Sequence, residues 1–158
     1  AGFEGVTLDW IAPEVGVRET VVIEGQTCVT TADYEAGRVY DDALCYSYYA
    51  IDIHTEEGRG IHGRPLPEGV VATLPRGAML PREGKFIIAA GRHACGEREA
   101  NSSFRVEAPC MAMGQAAGAL AALAAQQQTD PADLDLAAVR QLLRDHGAIV
   151  PEPAAVRQ

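Results

Sequence analysis

The stretch from Lys85 to Leu123 constrains the fold of this 158-residue chain more than any other segment. A short apolar run, FIIAA, ends at Gly91, which predicts a buried strand that stops where a ligand can approach. A polar loop follows, and Pro109 suits the first turn of a helix. From there to Ala125 most residues are Gly or Ala, so another backbone or a flat ligand can lie close to the helix. A strand, a loop and a small-residue helix in this order can hold a cofactor.

Capping residues and alternating patterns predict short elements in the first third of the chain. Thr30 with Asp33 resembles a capping box that opens a short helix, and Gly37 ends that helix. The run 44–54 is rich in aromatic residues and alternates at its end, which predicts a strand with one polar face. The run 20–23 is also rich in residues that favour strands.

Later in the chain, the apolar runs 70–74 and 78–80 flank a Pro and a Gly and predict a strand, a kink and a second strand. A final helix is predicted to begin where Asp130 caps it and to end at Gly147. Its apolar stripe consists of Leu136, Val139, Leu142 and Leu143.

Composition favours a single globular domain. With 47% hydrophobic residues the chain can form one core, which we place at residues 1–150, followed by a tail at 151–158. We predict a mixed α/β fold in which short strands are packed by the small-residue helix and the C-terminal helix. The net charge of −9 and the absence of a Lys/Arg run argue against nucleic-acid binding.

Cysteine and histidine usage points to a reducing environment without a metal. The four cysteines form neither a CxxC pair nor a zinc-ligand spacing, so we expect free thiols and a cytoplasmic protein. The four histidines are too scattered to predict a metal site. No basic leader followed by an apolar segment opens the sequence, and the run from Cys110 to Ala125 is short and contains Gln115. We therefore predict neither a signal peptide nor a membrane span.

One GxGxxG pattern occurs, formed by Gly58, Gly60 and Gly63. A dinucleotide-binding fingerprint needs a strand that enters the glycine turn and a helix that follows it. Pro65 and Pro67 come next instead, and they forbid a regular helix at that point. We interpret these glycines as part of a flexible surface loop.

Two sequence segments carry a family resemblance. IIAAGR at 87–92, followed by RVEAPCMAMGQAAG at 105–118, resembles the last part of FAD-dependent oxidoreductases of the broad glutathione-reductase-like class. Members of that class are far longer, and their dinucleotide-binding βαβ unit lies near the N-terminus. The resemblance therefore implies a C-terminal portion that lacks this half, with FAD as cofactor. It covers roughly residues 12–150 and is extended by VGVRET at 15–20, IEGQTCVTTAD at 23–33, DALCYSYYAIDIH at 42–54 and LPEG at 66–69.

The resemblance also implies which residues face the cofactor. Related flavoproteins place the glycine at the strand end against the flavin and a loop arginine near the flavin or substrate, which corresponds here to Gly91, Arg92 and Arg105. Reducing a flavin places negative charge on N1 and the C2 carbonyl, and donors aimed there stabilise it. The helix start offers N–H groups and the positive end of the helix dipole. The residues of this turn are Ala108, Pro109, Cys110 and Met111.

Asp52 and His54 are candidate catalytic residues together with Arg105. Two residues apart on a strand, Asp52 and His54 point the same way and can line one pocket. The alternative for this pair is an ordinary exposed or hydrogen-bonded arrangement, and for Arg105 it is an ion pair with Glu99 or Glu107. For Cys95 and Cys110 the alternatives are a redox-active thiol and a buried structural thiol, and without a resolving partner at short spacing we interpret them as structural. The glycines of the small-residue helix are interpreted as packing residues.

The sequence departs from the family pattern at two places. After Arg18, Glu19 and Thr20 the family usually continues with basic residues, whereas this chain has VVI at 21–23. The loop 93–104 lacks a histidine that the family pattern would place near Arg98. The resemblance therefore does not specify the substrate.

Two functions remain open. In the first, the chain is a fragment or subunit of an FAD-dependent oxidoreductase and completes the flavin site and part of the substrate pocket with an N-terminal dinucleotide-binding half or a partner subunit. In the second, it is a non-catalytic module for binding or assembly. The exposed small-residue face would also promote association between copies of the chain.

Overall fold

The computed structural model describes residues 2, 4–18, 21–54 and 61–152. Along these ranges a short helix precedes four consecutive short strands, and helices follow them, in agreement with a mixed α/β fold. The elements in chain order are α1 Thr31–Glu35, β1 Ala43–Ser47, β2 Ile51–His54, β3 Ile61–Arg64, β4 Ala72–Pro75, a 3-10 turn at Arg76–Ala78, a 3-10 turn at Gly91–His93, α2 Arg98–Phe104, α3 Glu107–Gln127, a 3-10 turn at Pro131–Asp133 and α4 Leu136–Asp145.

The strands form two separate antiparallel pairs. β1 pairs with β4, and both strands are buried at nearly every position. β2 pairs with β3, so that Asp52 lies opposite Gly63. The predicted strand at 44–54 is therefore divided between two sheets, because the chain leaves the first pair after Ser47 and enters the second at Ile51.

α3 is the helix around which the core is built. Its buried residues are spaced three to four apart and form one stripe, because that spacing returns to the same helix face. The stripe faces β1 and α4, and the start of the helix contacts the turn at Gly91–His93. The stripe consists of Pro109, Met113, Ala116, Leu120 and Ala124.

The opposite face of α3 is exposed and built from small residues. A Cβ added at Gly114 or Gly118 would meet no described atom within 4 Å. The interpretation of these glycines as packing residues is thus wrong for the part of the chain described here. By length and hydropathy alone, 1.3 over its most apolar window, the 21-residue helix could also cross a membrane, and it is longer than the run that the sequence prediction considered.

Arg140 connects α4 to the beginning of β1 through hydrogen bonds. This side chain is 7% exposed. Its Nε and Nη2 donate to the carbonyl oxygen of Ala43 at 3.1 and 3.0 Å, and Nη2 also donates to the carbonyl of Asp41. Because buried carbonyl groups need a donor, this arginine fixes the position of α4 on the sheet.

The predicted strand at 86–90 is absent. No described strand pairs with this run, and Phe86 and Ile87 are 71% and 56% exposed. Phe86 has a positive φ of 59°, and its N–H donates to Asp130 Oδ2 at 2.9 Å, not to a neighbouring strand. Strand preference acts through packing and ladder hydrogen bonds, so an apolar run without a neighbouring strand does not form one.

The other predicted elements agree in part. Thr30 caps α1 by accepting from the N–H of Asp33 at 3.0 Å, as predicted. Asp130 caps a short 3-10 turn, whereas Asp135 caps α4. The run 78–80 begins with the last residue of a 3-10 turn and forms no strand. Residues 21–23 are not a strand either, while Thr20 lies outside the described residues. Gly63 lies in β3 and not in a loop; Gly58 and Gly60 lie outside the description.

Replacing Arg140 by Met should lower the free energy of unfolding by about 1–3 kcal/mol, because the carbonyl groups of Asp41 and Ala43 lose their buried donor. Chemical denaturation of the variant measures this change. The matched control is Arg144→Met, an exposed arginine on the same helix, for which we expect a change within about 0.5 kcal/mol. Equal effects of the two substitutions would contradict this account of Arg140.

Candidate functional site

A cavity of about 340 Å³ lies where α2, α3, β2 and the turn at Gly91–His93 meet, and we call it the site pocket. It contains four of the predicted site residues, although they come from three separate parts of the sequence. The lining residues are Arg18, Asp52, Arg92, Arg105, Val106, Glu107 and Cys110.

Arg105 joins α2 to β2 at the base of the site pocket. It is the C-terminal cap of α2, and its side chain is 5% exposed. Its Nη2 donates to the carbonyl oxygen of Asp52 at 3.1 Å, and the N–H of Asp52 donates to Ser102 Oγ at 3.0 Å. Two contacts from the end of α2 therefore hold the backbone of Asp52 in place. Glu99, one of the partners considered for Arg105, forms an ion pair with Arg64.

Gly91 allows the turn to approach the start of α3. Its φ of 67° lies in the left-handed region that glycine adopts without strain. A Cβ at this position would lie 3.4 Å from the sulfur of Cys110. Arg92 follows immediately, is exposed, and donates from Nη1 to the carbonyl of Val17 at 3.2 Å. The strand end predicted for this glycine is in fact the start of a 3-10 turn, but the glycine does lie beside the helix start.

The first turn of α3 presents backbone donors to the site pocket. Val106 is the N-terminal cap and provides no side-chain hydrogen bond. The N–H of Cys110 is bonded to the carbonyl of Val106 at 3.1 Å, so the N–H groups of Glu107 and Ala108 precede the first intrahelical bond. Pro109 has no N–H group, as expected for a first-turn proline. The positive end of the helix dipole acts at the same place.

The charges that line the site pocket are mixed, with three arginines and two carboxylates, which gives one net positive charge. Glu107 lies in the first helical turn, where a carboxylate is stabilised by the helix dipole. Burial raises the pKa of the Cys110 thiol, and the nearby charge of Arg92 opposes this only in part. Its sulfur lies 3.2 Å from the carbonyl oxygen of Arg105, to which it donates. A protonated, hydrogen-bonded thiol agrees with a packing role for Cys110.

The remaining predicted site residues lie elsewhere or outside the description. Ala108 and Pro109 line a second cavity on the other side of the helix start. Met111 is 68% exposed and lines neither cavity. The backbone of His54 belongs to β2, but its side chain is not described, so the proposed pairing with Asp52 stays a prediction.

Sequence reasoning missed two features of this region. Arg18 lines the site pocket but was noted only within the segment VGVRET that carries the resemblance; that signal could have identified it. The second cavity, of about 780 Å³, was not predicted. It lies between β1 and α3, shares Val106 with the site pocket, and is mostly apolar with three tyrosines, Tyr46, Tyr48 and Tyr49. The smaller cavity carries the charged groups, so we place the chemistry there.

Gly91→Ala should lower the free energy of unfolding by about 1–2 kcal/mol, because an L residue is strained at this left-handed φ. Gly118→Ala is the matched control: it adds the same methyl group in a helix with open space around it, and should raise stability by up to about 1 kcal/mol. Thermal or chemical unfolding measures both. A neutral Gly91→Ala would show that the turn does not need this conformation.

One family of known proteins matches most of this chain. Residues 1–143 match the family model described as FAD dependent oxidoreductase. No match was found among curated proteins or among solved structures. The matched range includes both β-strand pairs, the site pocket and all of α3. The chain therefore belongs to the FAD-dependent oxidoreductase family.

Proposed function

We propose that this chain is the C-terminal portion of an FAD-dependent oxidoreductase of the glutathione-reductase-like class. In this proposal it completes a flavin site and part of a substrate pocket, together with an N-terminal dinucleotide-binding half or a partner subunit. The observation that carries the proposal is the site pocket, in which the start of α3, the turn at Gly91 and the side chains of Arg92 and Arg105 converge.

The residues of the site pocket fit one edge of a flavin. FAD is the cofactor that the family implies, and it would supply two-electron redox chemistry. The N–H group of Glu107 and the helix dipole favour a carbonyl or anionic edge. The glycine at position 91 lets the turn that carries Arg92 pack directly against Cys110 at the start of α3. The volume of about 340 Å³ suits part of a ring system and not a whole dinucleotide, so the adenine end must be held by other residues.

Exposed apolar side chains on this chain support a missing neighbour. Phe86 and Ile87 are exposed and pair with no described strand, and Met111 at the first turns of α3 is 68% exposed. Residues 4–18 form no helix or strand, and Leu8 and Trp10 among them are 76% and 73% exposed. Clusters of large apolar side chains in water mark interaction surfaces. A dinucleotide-binding half that packs against these side chains would cover them.

The side chains of this chain then have distinct roles. Arg105, buried and fixed against β2, supplies a permanent positive charge that favours a carboxylate, a carbonyl group or the negative edge of the cofactor. Arg92 is exposed at the mouth and can bind an anionic group of an incoming small-molecule substrate. Asp52 presents a half-buried carboxyl group from β2 for hydrogen bonding or proton transfer.

The test is to purify the protein natively from the cells that produce it and to record its visible absorbance after gel filtration. We expect flavin bands with about one FAD per chain, because the native form contains the dinucleotide-binding half, as a partner or in one polypeptide. A colourless native protein that retains no added FAD would contradict the proposal and leave the non-catalytic assembly module.

The same preparation tests the position of the site. Arg92→Gln should weaken FAD or substrate binding by about tenfold, the effect of losing one charged hydrogen bond of about 1.5 kcal/mol. The matched control is Arg82→Gln, which removes another exposed charge, one that pairs with Glu24 and does not line the site pocket. Equal binding by the two variants would remove Arg92 from the site.

A further inference from the structure

Two cysteines that are distant in sequence become neighbours in the fold. The N–H of Val29 donates to the carbonyl of Cys95 at 3.2 Å, and the N–H of Glu97 donates to the carbonyl of Val29 at 2.9 Å. These bonds form a parallel bridge between Val29 and Gly96. In that register the preceding residues, Cys28 and Cys95, lie opposite each other.

Parallel register places both sulfur atoms on the same face. Adjacent strands lie about 4.8 Å apart, and directly opposed side chains point the same way. Disulfides form between residues whose Cα atoms are about 4.4–6.8 Å apart, so this register satisfies the distance without backbone movement. Gly25 allows the close approach, since a Cβ there would lie 2.6 Å from the Cβ of Cys95.

The two thiols differ in solvent exposure. Such a difference is needed when one thiol reacts with the oxidant and the other then attacks the product. Cys28 is exposed, whereas Cys95 is 7% exposed and its N–H is held by the carbonyl of Ala78 at 2.7 Å. A small oxidant can reach Cys28 first, and Cys95 is fixed beside it as the resolving thiol. Cys45 is fully inside the core, and Cys110 is bonded to the end of α2.

The pKa of Cys28 also reflects how close its thiol lies to Cys95. The pKa of Cys28 is raised to about 11, first by its partial burial and then by a hydrogen bond with Cys95 and the charge of Cys95. The charge of Glu97 raises this pKa further. Tyr40 also faces this thiol. Because the thiolate is the reactive form, oxidation is slow at neutral pH and accelerates about tenfold per pH unit below that value. Proximity, not acidity, favours the second step.

We propose that Cys28 and Cys95 are a redox-modification site at which hydrogen peroxide forms an intramolecular disulfide. The Cys28 thiolate attacks one oxygen of the peroxide, the O–O bond breaks, and a sulfenic acid forms as hydroxide leaves. The Cys95 thiolate then attacks the Cys28 sulfur, the S–S bond forms, and a second hydroxide leaves. The two thiol protons convert both hydroxides to water, so two thiols lose two electrons and one peroxide yields two water molecules.

The disulfide would act on the site pocket through its position. Cys95 lies in the same short segment as Gly91 and Arg92, and the new bond would tie that segment to the backbone around Val29. The turn that approaches the start of α3 would then be held covalently from the opposite side. The inference concerns the two thiols alone and does not depend on the proposed oxidoreductase function.

The experiment treats the reduced protein with hydrogen peroxide at several pH values and follows intact mass and tryptic peptides. We expect the loss of two hydrogen atoms, a linked pair of peptides spanning 19–38 and 93–98, reversal by dithiothreitol, and a rate that rises about tenfold per pH unit between pH 7 and 9. The oxidised protein should also unfold at a higher temperature, because the link closes a long loop.

Cys28→Ser should abolish the mass change, and because Cys28 is exposed, this variant is expected to fold. The control Cys110→Ser keeps the pair and should retain the same linked peptides. A link involving Cys110 or Cys45, oxidation of Cys28 that stops at the sulfinic acid, or mixed disulfides between two chains would each overturn the inference.

Discussion

The first turns of α3 pack against Gly91, and this contact positions the site pocket. The buried stripe of the helix lies on β1 and α4, and the left-handed glycine lets the turn at 91–93 reach the sulfur of Cys110. Arg105, at the end of α2, comes immediately before the cap of α3 and reaches back to Asp52. If the helix shifted, the two arginines, the carboxylate and the helix start would no longer share one pocket.

The sequence predicted the features that local rules determine. Spacing and residue type predict the cap of α1, the first-turn proline of α3 and the apolar stripe of α4. The family resemblance predicts the grouping of Arg92, Arg105 and Cys110 at the helix start. Each depends on contacts within a few residues or on a motif of known geometry. The residue grouping came from the resemblance, since periodicity alone does not bring Asp52 to the end of α2.

Features that depend on distant parts of the chain were not predicted. The run FIIAA has the composition of a buried strand, but no described strand pairs with it: Phe86 and Ile87 are exposed, and the N–H of Ala89 donates to the carbonyl of Met79. The pairing of β1 with β4, the 3-10 turn after Pro75 and the adjacency of Cys28 and Cys95 all arise from long-range register. A pattern of residues reports local preference, whereas register is set by which segments meet. The same reasoning explains why Arg18 was not identified as a lining residue.

The most direct measurement of the site's position is hydrogen exchange of the native protein with and without FAD. The amides of Glu107 and Ala108 have no acceptor within α3, and they should exchange rapidly without the cofactor. We expect FAD to slow exchange at the amides of Glu107 and Arg92, which line the site pocket, while amides of β3 are unchanged. Protection confined to the tyrosine-lined cavity between β1 and α3, with none at the start of the helix, would contradict it.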